Sequence, residues 1–273
     1  MPRALANGIS IEYETFGATG APPLLLISGF GSQLIAMDEG FCELLATRGF
    51  LVVRFDNRDV GLSSRVAEPY GLEDMAADAV GLLDYLGFPA AHVVGVSMGG
   101  MIAQLVAIGY PDRVLSLVSI MSHLGGGDAV PYEASIAEAW LAPAPSGREE
   151  YIEHSLRSQR LNWAGDFDEE AARTRTSRAY DRAFDLEGVA RQRKAIQAAP
   201  SRREALGGVG VPTLVIHGDA DPLVPVANGI RTAAAIPGAE LLVIRGMGHY
   251  NAPRAWIQVA AAIAENAARA VKA

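Results

Sequence analysis

Apolar residues along the chain follow two periodicities, and the alternation between them outlines an architecture. Ile9-Ser10-Ile11-Glu12-Tyr13-Glu14-Thr15 alternates apolar with polar, the pattern of a half-buried edge strand. Leu24-Leu25-Leu26-Ile27 and Phe50-Leu51-Val52-Val53-Arg54-Phe55 are near-continuous runs, which suit strands covered on both faces. Between those runs Phe41, Leu44 and Leu45 mark a helix face, and Gly49 supplies its stop signal. The spacing of Leu72, Met75, Ala76, Ala79, Leu82, Leu83 and Leu86 predicts a second helix that ends at Gly87. His92-Val93-Val94 reads as the next strand and 101–107 as the next helix; Tyr110-Pro111-Asp112 then turns the chain into a strand over 114–121. Later, 212–217 and 240–244 read as strands around a helix at 227–235, and 255–270 as a terminal helix.

Strands and helices in alternation predict an α/β fold with a mainly parallel, doubly wound sheet. Between His123 and Leu206 the β-type runs vanish. That stretch is rich in Arg, Glu, Asp and Ala, with Trp140, Tyr151, Trp163, Phe167, Tyr180 and Phe184 interspersed. It reads as a helical cap, 123–206, inserted into a core domain made of 1–122 and 207–273. Its charges carry both signs, as ordinary solvated helix faces do.

Composition narrows the partners. A length of 273 residues, half of them apolar, suits one large domain with an insertion. No apolar run has the length of a signal peptide or a membrane span, so a soluble, cytoplasmic protein is expected. The net charge of −8 opposes binding to nucleic acid or anionic membranes, leaving a small molecule as the expected partner. The lone cysteine, Cys42, excludes an intrachain disulfide and reads as a packed thiol; no Cys/His cluster has zinc spacing, so neither metal nor cofactor is expected. No pattern specifies an oligomeric state.

One pentapeptide carries chemistry. Gly95-Val96-Ser97-Met98-Gly99 lies between a strand and a helix, the setting of a nucleophile elbow, and Gly95, Gly99 and Gly100 leave room for the sharp turn. A serine hydroxyl attacks nothing at neutral pH without a base, and the base needs a group to fix its tautomer. On this architecture the order is Ser, then acid, then His. Of five histidines, His92 precedes the serine, His123 closes a strand, His154 falls in the cap, and His217 has no acid on a strand between itself and Ser97. His249 remains, in the glycine-rich loop after the last strand. Gly218-Asp219-Ala220-Asp221-Pro222 offers two acids. Asp221 is preferred, because the prolines that follow stiffen its mount, and Asp219 is read as a turn former. The oxyanion donors expected are the N–H of Met98 and that of Phe30 in the loop Ser28-Gly29-Phe30-Gly31. The polar run Asp56 to Ser63 is read as a network holding loops.

With Ser97, Asp221 and His249 in order, the chain resembles the α/β-hydrolase superfamily over nearly its whole length. Phe55-Asp56-Asn57-Arg58-Asp59-Val60-Gly61-Leu62-Ser63, Val93 to Gly99, Asp221-Pro222 and Gly246-Met247-Gly248-His249 resemble the aclacinomycin methylesterase group of capped bacterial esterases. The resemblance implies hydrolysis of a small-molecule carboxylic ester through an acyl-serine intermediate, without cofactor. Two departures stand out: Ser28-Gly29 replaces the superfamily's usual His-Gly, and Arg58-Asp59 its Arg-Gly. Lactonase, carbon–carbon hydrolase and cofactor-free perhydrolase activities use the same triad, and some relatives with it are non-catalytic signal-binding receptors.

Overall fold

A computed structural model describes residues 2–270 apart from 133–135, 137, 139–141, 166, 251 and 252, so Trp140 lies outside the described residues. The strands are β1 (Arg3–Ala6), β2 (Ile9–Phe16), β3 (Pro23–Ile27), β4 (Leu51–Phe55), β5 (Ala91–Val96), β6 (Val114–Ile120), β7 (Thr213–Gly218) and β8 (Glu240–Ile244). They form one sheet in the order β1-β2-β4-β3-β5-β6-β7-β8; β2 runs antiparallel to both its neighbours and every other pairing is parallel. The helices of the core are α1 (Glu39–Thr47), α2 (Leu72–Tyr85) and α3 (Met98–Gly109), with α8 (Ala227–Ala235) and α9 (Trp256–Ala270) late in the chain. Between β6 and β7 lie α4 (Arg148–Asn162), α5 (Glu169–Arg182), α6 (Leu186–Ala198) and the single turn α7 (Arg203–Leu206).

The continuous apolar runs become strands buried on both faces, and the two faces divide them residue by residue. Leu25, Ile27, Val53, Phe55 and Val93 pack with α2 and α3, whereas Leu24, Leu26, Val52 and Val94 pack with α1 and α9. Cys42 is buried on the second face, and burial pushes its thiol up to about 12, so it packs as an apolar group. Helix starts follow local chemistry: Asp38 accepts from the Gly40 amide, Asp168 from Ala171, and Asp185 from Glu187 and Gly188.

The expected edge strand is one place in from the edge. β1 covers its outer side, and Glu12 is buried where Arg3 donates to it at 2.9 Å. β1 itself escapes sequence reading because Arg3-Ala4-Leu5-Ala6 is short and poor in β-branched residues, and Leu5 faces solvent.

Strand order also places the crevice. After β3 the chain leaves for β4 on one flank, and after β5 it leaves for β6 on the other. The loops at the carboxyl ends of β3 and β5 therefore diverge, which opens a cleft of the kind that binds ligands in doubly wound sheets. Among the described residues no helix is long and apolar enough to cross a membrane, and no group of three or more His, Cys, Asp or Glu could hold a metal ion.

Candidate active site

Three loops at this edge meet because the strand ends are level: Ile27 pairs with Gly95, Val96 with Ile120, Ile120 with Ile216, and Gly218 with Ile244. Ser97 follows β5 directly, Asp221 follows β7 by three residues and His249 follows β8 by five.

The elbow is a strained turn. Ser97 has φ 56° and ψ −119°, a left-handed φ that serine rarely adopts. A Cβ on Gly95 would lie 2.0 Å from Gly99 O, one on Gly99 2.0 Å from Ile27 O, and one on Gly100 2.6 Å from Ser122 Cβ. The turn therefore excludes side chains at all three positions, with backbone pressed against backbone at Gly95 and Gly99 and against the Ser122 side chain at Gly100.

The partners are within hydrogen-bond reach. His249 Nε2 stands 2.9 Å from Ser97 Oγ, and His249 Nδ1 stands 2.7 Å from Asp221 Oδ2. Asp221 Oδ1 accepts from the Leu223 and Val224 amides at 3.0 and 2.8 Å. Burial disfavours the Asp221 carboxylate. His249, the side-chain hydrogen bonds from His217 and His249, and the Val224 amide outweigh it and hold its pKa at about 2. Asp219 takes the other role: its Oδ1 accepts from the Gly246 amide at 2.6 Å. The acid and histidine loops touch without a gap, since a Cβ on Gly218 would lie 1.9 Å from Met247 O and the Ala220 amide donates to that carbonyl at 3.1 Å. Such contact fixes the His249 loop relative to Asp221.

Met98 is the first residue of α3, where amides have no intrahelical acceptor. Phe30 follows Gly29, whose Cβ position lies 3.9 Å from Ser97 Oγ, so the β3 loop passes directly beside the hydroxyl. The residues expected to supply the two donors therefore lie on the two loops next to Ser97.

Other histidines separate by environment. His123 opens the segment after β6; burial first, then the charges of Arg202, His249 and His217, lower its pKa to about 4 and leave it neutral at pH 7. His92 packs beneath the sheet with Nδ1 2.8 Å from Ser116 Oγ. His217, set aside in the sequence as lacking an acid, lies against the acid instead: Nε2 donates to Val224 O at 2.7 Å and stands 3.5 Å from Asp221 Oδ2. The four-residue spacing from His217 to Asp221 was the signal available for that contact.

The run Asp56 to Ser63 is a hub. Asp56 accepts from the Leu34 and Leu62 amides, Asn57 Nδ2 donates to Ser28 O, and Arg58 pairs with buried Asp78 at 2.6 Å. Asp59 has φ 69°, which accounts for the glycine usual there; aspartate tolerates this region, and its carboxylate meets Arg191 at 2.8 Å. Ser28, at the position usually His, is buried, and its hydroxyl has no hydrogen-bond partner among the described residues.

Above the edge lies a cavity of about 740 Å³ between the strand-end loops and the β6–β7 helices. Its floor carries Phe30, Met98 and Met121, and α4 contributes His154, Ser158 and Asn162 at helical spacing. The volume falls in the range of small-molecule sites. Trp163 stacks on Tyr250 with ring centroids 4.4 Å apart, and Tyr151, Tyr180 and Phe184 pack on one another, so of the described aromatics at least these serve packing.

Comparison with known proteins finds relatives over most of this chain. Residues 22–252 match the family described as alpha/beta hydrolase fold. The chain is 33% identical to rhodomycin D methylesterase DauP of Streptomyces sp. (strain C5) over 268 residues, covering 88% of this chain and 89% of that protein. It is 28% identical to 3-oxoadipate enol-lactonase 2 of Acinetobacter baylyi, covering 82% and 80%. In fold it superimposes on the meta-cleavage product hydrolase CumD of Pseudomonas fluorescens IP01 with a TM-score of 0.84 at 24% identity, covering 99% and 98%.

Proposed function

The chain belongs to the alpha/beta hydrolase fold family, and on that premise we propose that it is a serine hydrolase that cleaves a carboxylic ester of a small molecule. The observation that carries the proposal is the continuous hydrogen-bonded line Ser97 Oγ, His249, Asp221, whose first two members line the cavity. A relative that is a methylesterase by name, covering 88% of this chain, favours an ester over the other bonds this triad cleaves.

In the mechanism, His249 Nε2 takes the Ser97 proton as Oγ attacks the ester carbonyl. The amides of Met98 and Phe30 donate to the oxyanion, and Asp221 holds the Nδ1–H tautomer and the imidazolium that forms. His249 then passes the proton to the departing alkoxide, which leaves as the alcohol. Water replaces it, gives a proton to the same nitrogen and attacks the acyl-serine, which releases the acid and restores Ser97. The net change is ester plus water to acid plus alcohol. Segment 123–206 acts as the cap that closes the cavity and limits substrate size.

Intact-mass labelling with a fluorophosphonate tests the nucleophile. One adduct is expected on the wild type and none on Ser97→Ala, whose turnover falls by about 10⁵ or more. An unlabelled wild type would sink the proposal. Sustained hydrolysis of p-nitrophenyl esters separates an enzyme from a receptor, which gives a single burst or none, and methyl, aryl and lactone substrates on the same panel define the bond.

A further inference from the structure

The loop after β3 is held from two sides: Asn57 and Asp56 of the core bond Ser28 O and the Leu34 amide, and the helices between β6 and β7 bond the residues between them. Gln192 of α6 is fully buried and far from Ser97 in sequence, yet its Oε1 accepts from the Gly31 amide at 2.9 Å and its Nε2 donates to Arg58 O at 2.8 Å. Gly31 has φ 63° and immediately follows Phe30, whose amide is assigned to the oxyanion. A second clasp holds the loop two residues on: Gln33 Nε2 donates to the carbonyls of Ala179 and Ala183 at 2.6 and 2.7 Å, at the end of α5, and Arg182 donates back to Gln33 Oε1 at 2.8 Å. In Gly29-Phe30-Gly31 the Phe30 ring packs on the core, but the flanking glycines leave the backbone dihedrals on either side of it free to turn. Two cap helices bond that backbone and the residue two positions on.

We propose that Gln192 is a positioning residue through which the cap aligns the Phe30 amide with the oxyanion, so that the oxyanion site is completed by the cap rather than by the core alone. This rests on the ester-hydrolase reading. The bond from Gly31 fixes one end of the Phe30–Gly31 peptide, and rotating that peptide would swing the Phe30 environment away from Ser97 Oγ. The bond to Arg58 O fixes Gln192 in turn, because it leaves the amide group one orientation that satisfies both neighbours. Since the carbonyl oxygen bears full charge only in the tetrahedral intermediate, misalignment weakens the transition state more than the bound ester.

The test compares Gln192→Leu, which removes both hydrogen bonds, with Gln192→Glu, which keeps an acceptor facing Gly31; Gln192→Met is a second removal of near-equal length. Each is assayed for kcat and KM on one p-nitrophenyl ester, for affinity toward a boronic acid that forms a tetrahedral adduct on serine, for affinity toward the product carboxylate, and for thermal unfolding. The expectation for Leu and Met is a fall in kcat of about 10- to 100-fold, KM within about threefold, boronate affinity weakened in proportion and carboxylate affinity unchanged. Gln192→Glu recovers the larger part of kcat. Wild-type kcat in Gln192→Leu, a change in KM alone, equal weakening of both inhibitors, or a folded Gln192→Glu whose kcat falls tenfold or more would each overturn it. A wild type that turns over no ester would instead bring down the hydrolase reading itself.

Discussion

The sheet edge and the cap are built on opposite terms. At the edge, Ser97, Asp221 and His249 sit on loops only a few residues from paired strands, and glycines press backbone on backbone at 1.9–2.0 Å from any added Cβ. In the cap, the apolar cluster is small, Ile152, Leu156 and Ala172 with Phe167 against it, and many of the contacts are arginine ion pairs such as Arg148–Asp181 and Arg173–Glu153. The edge tolerates almost no change of shape. The cap can vary its surface provided a few buried links to the core persist. Under the proposed mechanism, this division puts proton transfer on the rigid part and leaves substrate size to the inserted helices.

The sharpest way to break the contrast is within the edge itself. Asp221→Asn, which loses the tautomer control at His249 Nδ1, is expected to lower kcat by about 10⁴, whereas Asp219→Asn, which keeps an acceptor for Gly246, stays within severalfold. Steady-state kinetics of the two decide it, and the reverse ranking would move the acid.

Next comes a link between the regions. Arg182 of the cap meets buried Asp56 at 2.8 Å, and Asp56 is fully buried. Arg182→Met leaves that carboxylate without its cation and is expected to cost about 3 kcal/mol at pH 7 by urea unfolding. Burial already raises the Asp56 pKa against the pull of the Leu34 and Leu62 amides and Arg182. In the variant the acid therefore takes a proton readily, and the deficit should shrink as pH falls.

A smaller effect is the pH dependence of stability. His123 has a folded pKa of about 4, below the unfolded 6.5, so the unfolded chain binds its proton first and stability falls as pH drops from 6.5 through about 4. Asp221, held at about 2, adds a lower limb: its contribution is complete above the unfolded value near 3.9 and is lost as pH falls toward 2. Urea midpoints against pH should show both limbs, and His123→Asn should flatten the upper one alone. The least effect is expected in the cap surface, where Arg148→Ala removes an exposed pair with Asp181 and should leave the melting temperature unchanged.

Much of this was legible along the chain. The doubly covered strands announce themselves as unbroken apolar runs, and the elbow by three glycines, because a turn that tight admits no Cβ. Chain order narrowed the partners of Ser97 to His249 and the neighbouring acids Asp219 and Asp221, since a parallel sheet puts successive strand ends on one edge. Less legible were β1, whose Ala and exposed Leu5 carry no strand pattern, and His217, whose side chain turns to Asp221 only once the loop folds back. Gln192 was invisible: Ala190-Arg191-Gln192-Arg193 reads as ordinary helix surface, and its partners Gly31 and Arg58 are 161 and 134 residues away.

The sequence by itself therefore determined most of the sheet and the tight turn at Ser97, because those depend on periodicity and on small residues at fixed spacing. Only the tertiary structure decided which acid faces His249, what holds the β3 loop and how the cap meets the core. Those are contacts between side chains distant in the chain, and no local pattern specifies a partner that the fold alone brings within 3 Å.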